Sequence, residues 1–135
     1  MKTFFITLLL SLPALSHADL VIVTGSNSSI TSLTETEVRQ LFSGHLRTID
    51  GQRVQPLDLP GTAQPREDFY RKLMGRTSEQ MRAYWTRLIF TGQGKPPREV
   101  SNTQELTTLV SSGEYVGYLP EEAVSGDLRV LYRLK

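Results

Sequence analysis

Cysteine is absent from all 135 residues, and tryptophan occurs once. Without thiols there is no disulfide, no thiolate metal ligand and no cysteine nucleophile, so the fold is held by its core alone. Histidine is scarce too: His17 lies in the N-terminal stretch discussed below, which leaves His45. One imidazole without a thiolate argues against a zinc site. With no serine elbow and no cluster of metal-ligating residues either, the pattern does not point to an enzyme, and no cofactor is implied. An excess of one charge is also missing. The chain has 15 basic and 14 acidic residues, and removing the first eighteen takes away Lys2 and no acid, leaving a formal balance of zero. Nucleic acid and anionic membrane both call for a clustered basic excess, so neither is expected as the main partner.

What is present begins with a leader. Lys2 supplies a positive end, and Phe4 to Leu12 form an apolar run too short to span a bilayer. Ser16-His17-Ala18 then offers small residues at the −3 and −1 positions of a signal-peptidase site, so cleavage is expected after Ala18. Residues 19–135 suit one exported domain, and no later stretch is long and apolar enough to cross a membrane.

The mature chain alternates strand and helix signals. Leu20 to Val23 is a continuous apolar run, as in a strand buried on both faces. Thr34 and Glu37 form a capping box ahead of a helix with Val38, Leu41 and Phe42 on one face, stopped by Gly44. Asp50-Gly51 marks a turn before a strand around Val54. A helix with Phe69, Tyr70 and Leu73 stops at Gly75. Thr77 and Gln80 open the longest helix, whose core face is expected to be Met81, Tyr84, Trp85, Leu88 and Ile89. Trp85 sits in that stripe, so burial fits it better than ligand stacking. A glycine-proline loop, Thr91 to Pro97, reads as a connector or contact loop. Asn102 and Glu105 start a further helix with Leu106, Leu109 and Val110 buried. Tyr115 to Leu119 and Leu128 to Leu134 read as strands, the last at an edge because of its arginines. The tally is four strands and about four helices in a single domain.

The most informative stretch is Val54 to Phe69, VQPLDLPGTAQPREDF. A buried strand breaks at Pro60-Gly61 and a helix begins soon after, so backbone N–H groups without helical partners converge where the dipole is positive. Thr62 and Gln64 can add side-chain donors, and Arg66 a fixed charge. The same residues also make an ordinary capped β-to-α connection. The hydroxyl-rich loop from Thr24 to Ser29 can line a ligand site or form a solvated turn.

The pieces LFSG, a short DG loop, GTAQPREDFY, YWTRLIFTGQG and EYVGYLPEEAV occur in an order and spacing that resemble the periplasmic phosphate-binding proteins of ABC transporters, and more closely their short single-domain relatives. The resemblance covers essentially the whole mature chain. It implies a type 2 periplasmic binding-protein fold, here a single three-layer α/β lobe with a mixed sheet of about four to five strands. It also implies a phosphate or related small oxyanion as ligand and an inner-membrane permease as partner. The family's glycine-serine-glycine-threonine loop falls on Gly61, Thr62, Ala63 and Gln64, of which Thr62 keeps a hydroxyl. Its Thr-Gly-Ser run is similar to Thr24, Gly25 and Ser26. Its arginine three residues before the loop falls on Asp58, a reversal of charge that Arg66 would have to offset. The chain is about half a two-lobed receptor, so a one-lobe site stays wet and each charge contact is weakened. That limits affinity to roughly the millimolar to high-micromolar range. The alternative is a non-transporting interaction or sensor module that keeps the fold without tight ligand binding.

Overall fold

The computed structural model describes residues 19–135; the leader and its cleavage site after Ala18 lie outside the described residues. The apolar run at the start forms β1, Leu20–Gly25, with every residue buried. Its neighbours come from the far end of the chain. Strand β6, Tyr115–Pro120, and strand β7, Leu128–Arg133, both pair with it antiparallel, and the register slips between Ile22 and Val23 on the β7 side. On the other side of β6 lies β4, Gln55–Asp58, and beyond it β5, Arg98–Glu99; these pairings are parallel. The order β5-β4-β6-β1-β7 is therefore a five-stranded mixed sheet, with β7 at one edge as its arginines suggest.

Strand β5 is the element the sequence does not announce, because its two residues are both exposed and carry no apolar signature. A separate hairpin of β2, Thr48–Ile49, and β3, Gln52–Arg53, turns at Asp50-Gly51. Both turn residues have positive φ, 50° and 79°, as a tight hairpin matching strand twist requires.

Helix α1, Glu35–Phe42, and helix α3, Ser78–Phe90, start with the two expected capping boxes. Helix α2, Gln64–Met74, ends at Gly75 in the left-handed conformation. Helix α4, Thr103–Val110, is capped by Asn102, but the Glu105 carboxylate turns to the Ser101 N–H, so no reciprocal capping box forms there. Successive side chains of a strand point to opposite faces. Tyr118 meets Phe42 of α1 and Phe69 of α2, whereas a side chain on Gly117 would collide with Leu106 of α4 at 2.9 Å. Helices thus cover both faces, and the lobe has three layers.

The aromatic cluster between α1, α2 and β6 is the densest part of the core. Phe69 lies flat on Tyr118, centroids 3.8 Å apart and 3° from parallel, and meets Phe42 edge-on at 4.8 Å. Trp85 is buried, its ring so close over Gly44 that a Cβ there would come within 3.2 Å. The expected core face of α3 fades toward its end: Met81 and Trp85 are buried, Tyr84 and Leu88 partly so, but Ile89 is 56% exposed and Phe90 is 91% exposed. The reason is that α3 leans on α2 rather than on the sheet, so its last turn runs past its support.

Candidate functional site

In an open sheet, ligands are received beyond the carboxyl ends of parallel strands. Strands β4 and β5 end side by side, and the chain leaves them through Leu59–Ala63 and Val100–Asn102. The expected anion seat, Gly61 to Arg66, is therefore at the right end of the sheet. What fills it is protein. Asp58, the last residue of β4, is 3% exposed and accepts hydrogen bonds from the Tyr70 and Tyr118 hydroxyls. The Tyr118 oxygen in turn accepts from the Leu59 N–H at 3.2 Å, so a backbone amide, a phenol and a carboxylate form a chain.

Arg66 turns back from the first turn of α2 over this group. Its Nη1 donates to the Leu59 carbonyl at 3.1 Å and lies 3.5 Å from Glu99, while its Nη2 is 3.6 Å from Asp58. Its Nε is buried without a hydrogen-bond partner. Glu99, from β5, takes the Gly61 N–H at 3.0 Å. The Ala63 N–H goes to the Pro60 carbonyl and the Arg66 N–H to the Ala63 carbonyl. The Gln64 amide reaches Asp68 one helical turn on, at 3.2 Å. Of the expected donors, the N–H groups of Thr62 and Gln64 make no backbone hydrogen bond among the described residues. The expected electropositive niche is accordingly corrected: two carboxylates face one guanidinium. Asp58 is buried because the side chains that cover it, two tyrosines and an arginine, can satisfy its oxygens.

Burial pushes the Asp58 carboxyl above the ordinary carboxylate value, and Glu99 adds to this. The two phenols and Arg66 pull it back without cancelling the rise. The same burial, together with the Asp58 charge, raises Tyr70 and Tyr118 well above the usual phenol value, so both stay protonated donors. A raised folded pKa means that the Asp58 contribution to stability is complete below its unfolded value and is lost as pH rises through the folded one. Asp58→Asn lacks this titration. The stability of the protein relative to that variant is expected to fall as pH rises above about 4, measured by urea unfolding at several pH values. A difference that does not change with pH would show that Asp58 is not shifted.

The second group of candidate residues lies elsewhere. Thr24 is fully buried and donates to the Tyr115 carbonyl at 3.0 Å. Gly25 is pressed on α4 so closely that a Cβ would stand 2.6 Å from the Val110 carbonyl oxygen. The Ser26 N–H is held by Asp127, and Arg129 binds the carbonyls of Ser26, Ser28 and Ile30. Because β1 runs antiparallel to β6 and β6 parallel to β4, the end of β1 meets the start of β4. Thr24–Ser26 and Gly61–Arg66 are therefore at opposite ends of the sheet, separated by at least three strand residues, roughly 10 Å. The structure does not bring them into one site. Sequence reading missed this because nothing local encodes strand direction. It also missed Tyr70, Tyr118 and Glu99 as the groups that close the seat, although two tyrosines at core positions signal a need for a buried acceptor.

No protein-family model matches the sequence, and no curated protein matches it in sequence either. Solved structures do share the fold. An ABC-type phosphate transport receptor from Vibrio cholerae superposes with a TM-score of 0.66 at 16% identity, over 84% of this chain and 45% of that one. A protein assigned as a phosphate ABC transporter substrate-binding protein, from Clostridium perfringens and with phosphate bound, gives 0.67 at 12% over 84% and 44%. PstS from Borrelia burgdorferi gives 0.60 at 15% over 84% and 46%. The chain spans less than half the length of each. Likeness at this identity establishes the architecture, a binding-protein-like lobe, and no helix among the described residues is long and apolar enough to cross a membrane.

Proposed function

We propose that the chain is an exported, periplasmic, binding-protein-like module that acts as an interaction or sensor element and not as a tight scavenger of free phosphate. Export rests on the leader over residues 1–18. The observation that carries the rest is the filled seat: Asp58 and Glu99 already hold Arg66 and the Gly61 N–H. An incoming anion would meet two carboxylates and would have to release Glu99 from an exposed charge-assisted bond, a contact worth up to about 1 kcal/mol after solvent screening. An inner-membrane sensor or another periplasmic protein is the partner this reading names. It assigns no catalytic role.

A second reading has one observation in its favour. The Thr62 and Gln64 N–H groups are free of backbone partners at the start of α2, where a phosphate-like oxyanion would be attracted, and a permease would then be the partner. Two amides on an open surface support only weak binding, about millimolar. The two readings separate in a phosphate titration followed by calorimetry and by the amide signals of Gly61 to Arg66. We expect no saturation below about 1 mM phosphate. Micromolar binding that Arg66→Ala abolishes would overturn the interaction reading and restore that of a transporter receptor. An inner-membrane partner cross-linked in cells and retained by Arg66→Ala would support the interaction reading.

A further inference from the structure

A formal net charge of +1 conceals a strong local imbalance. At the opposite end of β4 from Asp58 lies an open groove of about 280 Å³, lined by Arg47, Arg53, Lys95 and Arg98 and by no carboxylate. Leu41, Val54 and Pro97 form its apolar floor. None of the four groove cations forms an ion pair among the described residues, a property they share with Lys72, Arg76, Arg82, Arg87, Arg129 and Lys135; what sets them apart is that they line one groove. Of the acids on neighbouring segments, Glu114 stands beside Gln55, whose N–H its carbonyl accepts at 3.1 Å, with an exposed side chain outside the groove lining. Glu99 follows Arg98 but is turned to Gly61 and Arg66, and Glu105, which feels the Arg98 charge, is bound to the Ser101 N–H. Asp50 sits at the hairpin tip.

The elements that hold these cations are well fixed. Arg47 and Arg53 flank the β2–β3 hairpin, tied by the Val54 N–H to the Arg47 carbonyl at 2.9 Å. Lys95 precedes the Pro96-Pro97 pair, whose φ angles are restricted, and Arg98 begins β5. The Gly44 turn, with φ of 82°, closes the third wall beside Trp85 and the Lys95 backbone. A cleft lined by charge of one sign over apolar walls focuses its field and concentrates counter-ions. Four cations carry more positive charge than one orthophosphate, about −1.5 to −2 near pH 7, can neutralise.

We propose that this groove binds a multivalent oxyanion carrying at least two phosphate or carboxylate groups, either free or displayed as a lipid headgroup. The site is independent of the Asp58 seat and of the function proposed above. Its four cations are exposed to solvent, so the interaction is salt-dependent.

Inorganic tripolyphosphate is the probe, with orthophosphate and citrate for comparison, and amide signals of residues 46–56 and 95–98 as readout. Tripolyphosphate is expected to shift those signals in saturable fashion and to bind at least about tenfold more tightly than orthophosphate, one charged contact's worth. Arg53→Ala and Arg98→Ala are expected each to weaken binding about tenfold, whereas Arg82→Ala and Arg87→Ala on the outer face of α3 leave it unchanged. Anionic phospholipid vesicles distinguish the source. Binding to vesicles that is lost in the groove variants assigns a headgroup, and tripolyphosphate binding without it assigns a free anion. No saturable shift up to millimolar tripolyphosphate without vesicle binding, or equal losses in all four variants, would overturn the proposal.

Discussion

Asp58→Ala is expected to destabilise the protein by about 3–5 kcal/mol, the usual cost of removing one partner from a buried charged network. The reason lies in what stays behind. The Tyr70 and Tyr118 hydroxyls lose their acceptor, each a buried donor costing about 1–3 kcal/mol when unpaired, and Arg66 keeps only Glu99 and the Leu59 carbonyl. Asp58→Asn should cost less, since an amide keeps one acceptor and the volume. Urea unfolding followed by the fluorescence of Trp85, the sole tryptophan, measures both. Equal losses in the two variants would show that the second acceptor oxygen, which Asn lacks, and not volume sets the cost. Retention of wild-type stability by Asp58→Ala would remove the structural role assigned to the filled seat.

Phe69→Ala should cost a comparable amount, about 3–5 kcal/mol, typical of deleting a buried phenyl ring. Phe69 is fully buried and stacked on Tyr118 with Phe42 at its edge. Its loss opens a cavity between α1, α2 and β6 and also removes the surface that holds Tyr118 against Asp58. The two effects can be separated. In a double-mutant cycle with Tyr118→Phe, Phe69→Ala is expected to show a coupling of about 0.5–3 kcal/mol, as residues in contact do. Simple additivity would mean that the stack does not position the hydroxyl.

Local chemistry made much of this fold legible. Thr34 with Glu37 and Thr77 with Gln80 start helices because a capping box satisfies the first N–H groups with residues three apart. Gly75 stops one because it accepts a left-handed backbone. The overall lobe was expected from the resemblance carried by LFSG, GTAQPREDFY and EYVGYL, not from these capping residues. What was not readable depends on partners distant in sequence. Thr24–Ser26 and Gly61–Gln64 both resemble ligand loops of one family, yet an antiparallel β1 sends them to opposite ends of the sheet. Ile89 continued an apolar stripe beyond the neighbour that would have covered it. Arg47, Arg53, Lys95 and Arg98 belong to two segments some forty residues apart, so no window of sequence displays them together. Asp58 read as a reversed charge in a presumed anion site. Only the packing of Tyr70 and Tyr118 shows that it is a structural acceptor.

The pairing of β1 has a consequence for how the chain reaches this state. Leu20 faces Pro120 and Gly25 faces Leu128, so β1 finds both its neighbours about a hundred residues downstream. Contacts of that range demand large loop closures before they repay any of the entropy lost, which places folding toward the slow end for a domain this small. The N-terminal strand must wait for the last segment to emerge, and during that wait a bare run of Leu-Val-Ile-Val offers two open edges to any other strand. Strand β7 thus works as a clasp: without it that run would stay unsealed on one side.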